Sequence, residues 1–455
     1  MNKNEKQIQN LTINKQNKEL YGEIHSPYML INEMVDILPS SLFSTPGLKW
    51  LDPGCGRGFF AKVVYDRLNE GLKSKIIDDE ERKKEIINKM LYLIDINEEH
   101  KSELNLYFNN SPNLIFDNYL NENFIDKTKF DVIIGNPPFN CNGIKKVPTN
   151  NLKDKKKDGI SIWRAFIKKS ISLLNDNGYL LFIVPSIWMK HESRKGNLYD
   201  YITQYKIHKI KCFSNTETNI IFNKEAQTPT CYFLLQKKST DKKVLIYDKY
   251  LNTNICQQKY VEYNLNNEKI LPLCYIDIIN KLLPYTWKYG CIQVSKTNLP
   301  GKNINIREKK CEKYKYKNIK TCLQNKNIEK ANKANKANKL IINYSDSPCV
   351  FYNIEKVILA HGMYGLPYYD KEGKYGISNR DKYIIASSDY KSDELLMIYE
   401  FLSTSFVKEL YKATRYRMMY LEKYIFRLLP NISKIPNFPK IINDDNVSSF
   451  FTKNT

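Results

Sequence analysis

Apolar and polar positions change rhythm several times along the chain. Residues 1–20 are polar and rich in Asn and Lys, which predicts a loose N-terminal arm. From Gly22 to about Lys238, short apolar runs (LKWLDPG, MLYLIDI, FDVIIGNPP, GYLLFIVP, CYFLLQ) alternate with amphipathic stretches such as PYMLINEMVDIL and WRAFIKKSISLL. Strand-length runs separated by helical periods predict an α/β domain around a largely parallel sheet. GYLLFIVP is expected to follow a helix that stops at Asn177 and Gly178, and the charged stretch Asp78–Lys89 reads as a solvated helical face. Residues 341–442 regain apolar and aromatic character, with a turn signal at Asp370–Gly373 and a helical pattern in ELLMIYEFLSTSFVKELYKAT. The expected division is an arm over 1–20, an α/β domain over 21–245, a connecting region over 246–340 and a second unit over 341–455.

The connecting region changes the charge picture. Residues 301–340 hold thirteen Lys/Arg against three Glu, a local +10, and include the repeat ANKANKANK. With no apolar period, this stretch reads as a solvated loop or tether, able to act as a phosphate-contacting strap. The whole chain of 455 residues carries 71 Lys+Arg and 49 Asp+Glu, a net +22. That excess favours a polyanionic partner through counterion release, although an A/T-rich coding sequence also enriches Lys, Asn, Ile and Tyr. Ten cysteines are scattered without the paired spacing of a zinc site, so no structural metal is expected and the thiols read as reduced. The chain has neither an apolar signal core at its start nor a run of about 18 apolar residues, so the expectation is an intracellular protein outside the membrane.

The segment LKWLDPGCGRGFFAKVVYDRL is an apolar strand, a glycine-rich turn and an amphipathic helix. Gly54, Gly56 and Gly58 follow G-x-G-x-G rather than the G-x-G-x-x-G of dinucleotide binders. Asp52 precedes the loop, where a carboxylate would repel a pyrophosphate but suits an amino-acid ammonium such as that of S-adenosylmethionine. A second acid should reach ribose hydroxyls from the end of the next strand, and Asp95 in MLYLIDIN is placed for it. Asp117 in NLIFDNYL is the candidate acceptor for the cofactor's adenine amine.

FDVIIGNPPFN carries the reaction chemistry. An apolar strand runs into Asn136, Pro137, Pro138 and Phe139, and two prolines fix a rigid loop at the strand's carboxyl end. An exocyclic amine is a poor nucleophile because its lone pair is delocalised into the ring. The Asn136 side-chain oxygen and the Pro137 carbonyl can accept its N–H groups and aim the lone pair at a methyl sulfonium. Phe139 would stack on the base.

These motifs resemble the amino-group DNA methyltransferases, in particular N6-adenine enzymes with the gamma order of motifs. KELYGEIHSPYMLINEMVDILP is similar to the family's cofactor-flanking segment, with Ser26 and Pro27 where Thr-Pro is usual. The resemblance implies that Ser26 contacts the methionine carboxylate and that Phe222, in NIIFNKEAQTP, is a second aromatic near a flipped base. KVILAHGMYGLPYYDKEGKYGISNRDKYIIA is similar to recognition regions of type II restriction systems and large DNA viruses. The implied fold for 21–245 is a Rossmann-like catalytic domain with a seven-stranded, mostly parallel sheet, followed by an α+β target-recognition domain over 341–455. The implied activity is methyl transfer from S-adenosylmethionine to the N6 amine of a flipped adenine. Cys55 and Arg57 depart from the family's glycine loop.

The resemblance also implies a monomer acting on double-stranded DNA and leaves room for a separate cognate restriction endonuclease. Arg380, after Ser378 and Asn379 near an expected hairpin, is the candidate base reader, because Arg pairs bidentately with guanine edges. Residues 341–442 combine Tyr364, Tyr368, Tyr369 and Tyr375 with Lys371, Lys374, Arg380, Arg415 and Arg417, and each tyrosine can equally pack as core. Two other classes compete: a methyltransferase of RNA or protein glutamine amides, and a non-catalytic DNA-binding protein on the same fold.

Overall fold

The computed structural model describes residues 14–121, 128–143, 159–192, 197–249, 260–323, 339–361, 367–380, 382–417 and 420–453. The chain divides into two compact units, Met1–Tyr247 and Asp248–Thr455.

In the first unit the chain begins with α1 (Lys15–Tyr21) and α2 (Tyr28–Val35), and then enters β1 (Trp50–Asp52) and α3 (Phe59–Gly71). It continues through α4 (Asp79–Glu85), β2 (Leu91–Asp95), α5 (Lys101–Tyr107), β3 (Leu114–Phe116) and β4 (Phe130–Gly135). A small ladder joins β5 (Asn140–Cys141) to β6 (Ile160–Ser161), ahead of α6 (Trp163–Leu173) and β7 (Leu174–Pro185). The unit closes with α7 (Leu198–Thr203), β8 (Tyr205–Phe213), α8 (Asn215–Ile221), β9 (Thr230–Ser239) and β10 (Lys243–Tyr247).

Eight strands of this unit pair in the order β10-β8-β9-β7-β4-β1-β2-β3. The run from β7 to β3 is parallel, β9 is antiparallel to both β7 and β8, and β10 is parallel to β8. The expected seven strands are therefore joined by β10, because VLIY in KKVLIYDK adds another alternating apolar run at the β8 edge. Parallel strands covered on both faces become continuously apolar, and Val132–Ile134 and Leu180–Val184 are buried throughout. Each such side chain stabilises the fold by about 1.5–3 kcal/mol. Helices α2 and α3 cover one face with Ile31, Met34, Phe60, Val64 and Leu68, the last three at i, i+4 and i+8.

Three local expectations change. Residues 15–20 of the supposed arm are helix, capped by the Asn14 side chain at one end and left-handed Gly22 at the other, whereas residues 1–13 lie outside the described residues. Helix α6 stops at Leu173 rather than at Asn177, because Leu174 is already extended and pairs with Phe130. Asn177, at φ 66°, then sits within β7, where the register against β4 shifts. The charged stretch around α4 is not wholly solvated either, since Arg82 is buried and donates to Asn69 Oδ1 at 2.8 Å and the Ile76 carbonyl at 2.8 Å.

The second unit contains β11 (Tyr260–Asn264), α9 (Ile276–Tyr289) and two four-stranded sheets. One sheet joins β12 (Ser295–Lys296), β16 (Lys356–Ala360), β17 (Tyr368–Asp370) and β19 (Lys382–Ala386) in the order β12-β19-β16-β17. The other joins β13 (Ile306–Arg307), β14 (Tyr316–Leu323), β15 (Lys339–Ser345) and β18 (Gly376–Ile377) in the order β13-β15-β14-β18. Helices α10 (Ser392–Ser403), α11 (Ser405–Leu410) and α12 (Asp444–Lys453) complete it. Residues 301–323, expected as tether, are thus partly packed: Ile319 and Tyr314 are buried and β14 pairs along its length with β15. Residues 331–338 of the ANKANKANK repeat lie outside the described residues. No helix among the described residues is long and apolar enough to cross a membrane.

Candidate active site

The carboxyl ends of β1, β2, β3 and β4 open onto a cavity of about 270 Å³. Ligands of open α/β sheets bind at this edge, because the loops leaving the strands diverge there. Its wall includes Ser26, Gly54, Gly56, Asp95, Asp117, Phe222 and all four residues Asn136–Phe139. The sequence motifs separated by more than a hundred residues therefore meet in one place.

The glycine loop is shaped by contacts that begin in β1 and β2. Gly58 caps α3 in the left-handed conformation at φ 75°, and a Cβ there would lie 2.7 Å from a Leu104 methyl. The Gly56 N–H donates to Asp95 Oδ2 at 2.7 Å, while the Asn97 N–H donates to Oδ1 at 2.8 Å. Asp95 thus holds both the loop and the turn after β2, and its carboxylate retains lone pairs for a hydroxyl-bearing ligand.

Asp52 lies behind that wall rather than on it. Only a long 3.5 Å bond from the Gly54 N–H reaches Oδ1, and Oδ2 is buried without a hydrogen-bond partner. Burial pushes the carboxyl up to about 8, against the Gly54 N–H and with help from the charge on Asp95. A buried orphan acceptor beneath a glycine loop fits a ligand that brings its own cation.

The Asn136 amide is oriented by the N-terminal segment. Its Nδ2 donates to Ser26 Oγ at 3.1 Å and to the Ile24 carbonyl at 3.4 Å, which leaves Oδ1 to the cavity. Ser26 is buried, and its hydroxyl proton stays available to a further acceptor. Gly22 brings this segment close: a Cβ at its φ of 72° would lie 2.1 Å from the Asn140 carbonyl oxygen. The Leu20 and Glu19 carbonyls accept from the Asn142 and Gly143 N–H groups at 3.0 and 2.8 Å, so α1 is tied to the catalytic loop. On its other side, Asn17 Nδ2 donates to Glu99 at 2.7 Å and Lys18 Nζ to the Glu225 carbonyl at 2.8 Å.

The remaining candidates divide. Phe139 is half-buried on the wall, and its carbonyl accepts from the Ile162 N–H at 3.2 Å. Phe222 is buried at the end of α8, whose start is fixed by the capping box of Ser214 and Glu217. Asp117 Oδ1 accepts from the Asn118 N–H at 2.6 Å and Asn121 Nδ2 at 3.1 Å, beside the apolar wall of Tyr119, Leu120, Ile162 and Phe166. Pro27 is the N-cap of α2 and is not among the wall residues. Arg380 belongs to the second unit, exposed after β18. No hairpin surrounds it, because β18 pairs in one sheet and β19 in the other. Tyr368 and Tyr375 pack against that unit's core and Tyr369 bonds Glu355, while Tyr364 lies outside the described residues.

Sequence reasoning missed a buried charge chain on the wall. His100 Nδ1 faces Asp95 at 3.4 Å and its Nε2 faces Glu23 at 3.3 Å, with His25 Nε2 on the same Glu23 oxygen at 2.8 Å. Burial opposes charge on His100, but the hydrogen bonds and charges of Asp95 and Glu23 outweigh it and lift the imidazole to about 9. Burial likewise opposes ionisation of Glu23, yet His100 and His25 hold it down to about 2. The available signal was two of the chain's five histidines beside motif residues, His25 just before Ser26 and His100 five residues after Asp95. Asn97 was also missed: it is buried on the wall, with Nδ2 unpartnered.

Comparison with known proteins agrees with the region of the site. Residues 7–220 match the model of the Eco57I restriction-modification methylase family. An uncharacterized adenine-specific methylase of Mycoplasma pneumoniae is 26% identical over 302 residues, covering 49% of this chain and 69% of that protein. The type II methyltransferase M.TthHB8I of Thermus thermophilus is 39% identical over 71 residues, which cover 13% of this chain and 17% of that enzyme. Among solved structures, a modification subunit of a putative type I restriction enzyme from Vibrio vulnificus superposes with a TM-score of 0.39 at 15% identity. That match covers 54% of this chain, and the chain spans about half (56%) of the solved one.

Proposed function

We propose, from the match of residues 7–220 to the model of the Eco57I restriction-modification methylase family, that this chain transfers a methyl group from S-adenosylmethionine to the N6 amine of an adenine flipped out of double-stranded DNA. The observation that carries the reading is the Asn136 amide. Its nitrogen is engaged by Ser26 and Ile24, so the oxygen faces the cavity as an acceptor.

The wall residues fit the cofactor. Asp95 keeps acceptor capacity for ribose hydroxyls and Asp117 stands beside an apolar wall suited to a purine, while behind that wall Asp52 holds a buried, unpartnered oxygen whose charge would favour an ammonium. When bound, S-adenosylmethionine supplies an electrophilic methyl on a sulfonium. The protein's own work is positional and electrostatic. Asn136 Oδ1 and the Pro137 carbonyl accept the two N–H bonds of the target amine, which localises its lone pair and favours the positive charge that develops on nitrogen. Pro137 and Pro138 keep that carbonyl from swinging away. Phe139 stacks on the flipped base, with Phe222 closing the wall beside it. The basic second unit supplies the attraction to phosphate, and Arg380 is its proposed base reader.

The test is incubation of the purified chain with S-adenosylmethionine and unmethylated genomic DNA, followed by nucleoside mass spectrometry. The reading requires N6-methyladenine in the DNA. Methylation of an RNA or a glutamine amide with DNA left unmodified would replace it by the competing class.

A further inference from the structure

Resting on that reading, we propose that Arg57 is the cation that holds the carboxylate of the cofactor's amino-acid end. The zwitterionic end of S-adenosylmethionine needs two opposite partners, and the buried orphan oxygen of Asp52 matches one of them, the ammonium. Ser26 offers a hydroxyl but no charge, and its oxygen is already the acceptor for Asn136.

Among the described residues of the wall, the basic side chains are His25, Arg57 and His100. His100 has both ring nitrogens committed, to Asp95 and Glu23, and His25 Nε2 is held by Glu23. Arg57 differs. It uses Nη1 toward Glu103 at 3.3 Å, while its Nε is buried with no hydrogen-bond partner. A guanidinium carries five donors in a planar fork, so the Glu103 contact leaves the fork's inner edge for a second carboxylate. Among the described wall residues the other buried donor without a partner, Asn97 Nδ2, carries no charge.

The position favours an anion independently of the side chain. Arg57 immediately precedes Gly58, the N-cap of α3, a helix of 13 residues. That N-terminus has no side-chain cap and no acid in its first turn. Its free N–H groups and the positive end of the helix dipole therefore stand beside the guanidinium, a setting that binds carboxylates. Asp52 and Arg57 stand at the two ends of the same short loop, Arg57 on the cavity wall and Asp52 behind it, an acid and a base that match in sign the two charges of an α-amino acid.

The test compares two nucleosides that differ by one group: S-adenosylhomocysteine and S-adenosyl-3-thiopropylamine, its decarboxylated form. Calorimetry on the full chain measures both against wild type, Arg57→Gln and Arg57→Lys, with thermal melts to confirm folding. Wild type should prefer the carboxylated nucleoside by about tenfold or more, as for a charge-assisted bond. Arg57→Gln should lose that preference by weakening only S-adenosylhomocysteine, and Arg57→Lys should keep part of it. Equal weakening of both nucleosides, or a preference unchanged in Arg57→Gln, overturns the assignment. A wild-type chain that binds neither nucleoside overturns the cofactor reading itself, and this inference with it.

Discussion

In the second unit, Lys356 Nζ donates to the Ile354 carbonyl at 2.9 Å and to Asp370 Oδ2 at 2.5 Å, with both side chains almost wholly buried. The same carboxylate accepts the Lys374 and Tyr375 N–H groups at 2.9 and 3.0 Å, so the turn signalled at Asp370–Gly373 closes on it. In the first unit, Asp95, His100 and Glu23 form a chain that is largely buried but faces a cavity, next to an Asp52 oxygen that nothing satisfies. The first arrangement is saturated and ties a strand pair to a turn. The second holds its acids in place and keeps acceptors for something that arrives. Burial of charge alone does not mark a functional site; unfilled acceptors beside a cavity do.

Lys356→Met should have the strongest consequence for the saturated pair. It leaves the Asp370 carboxylate buried without its counter-charge, which should destabilise the second unit by about 3–5 kcal/mol in denaturant unfolding. Calorimetric binding of S-adenosylhomocysteine by the first unit should survive. A change below about 1 kcal/mol would mean that the pair is not what holds the turn.

Asp95→Ala comes next. It removes a charge-assisted acceptor and the anchor of the Gly56 N–H, so S-adenosylhomocysteine should bind about 1.5–3 kcal/mol more weakly. Unchanged affinity by calorimetry would show that another acid takes the ribose.

Asp52 sharpens the contrast through protons. Its carboxyl, raised to about 8, is largely protonated in the free protein at pH 7. An ammonium placed against it favours the carboxylate, so nucleoside binding should release roughly one proton. Calorimetry in buffers of different ionisation heat reads this number, and Asp52→Asn should bring it to zero; the same release from the variant would remove Asp52 from the account.

The smallest expected effect is the pH dependence of the charge chain. The His100 imidazole is raised in the folded protein, so its contribution is full below the unfolded value near 6.5 and fades as pH climbs through about 9. The Glu23 carboxyl is depressed, so its contribution is full above about 4.5 and fades toward about 2. His100→Gln should flatten the fall in stability between pH 6.5 and 9, measured by melts across that range; an unchanged slope assigns the fall to other groups.

The acids at strand ends were legible in the sequence, and the histidine chain was not. Asp52, Asp95, Asp117 and Asn136 each follow an apolar strand, so local pattern places them at one edge of a parallel sheet. Glu23, His25 and His100 escape that logic, because their pairing joins a loop before α2 to the turn after β2 and no period links them. Strand β14 escapes it for another reason. Its buried face includes Asn318, whose Nδ2 donates to Ser345 Oγ at 2.9 Å, so polar residues do the work of apolar ones and the segment reads as tether. Helix α6 was overextended because Asn177 and Gly178 imitate a helix stop while actually kinking β7.

In the proposed reaction Asn136 presents an acceptor oxygen to the target amine. Asn136→Ala tests it most directly, with tritiated methyl transfer to DNA and S-adenosylhomocysteine calorimetry run on the same preparation. Loss of a preorganised transition-state partner of this kind costs about 2.7–4 kcal/mol, so transfer should fall about 10²–10³-fold while nucleoside affinity stays within about twofold. Transfer within about threefold of wild type, with binding intact, would contradict the account.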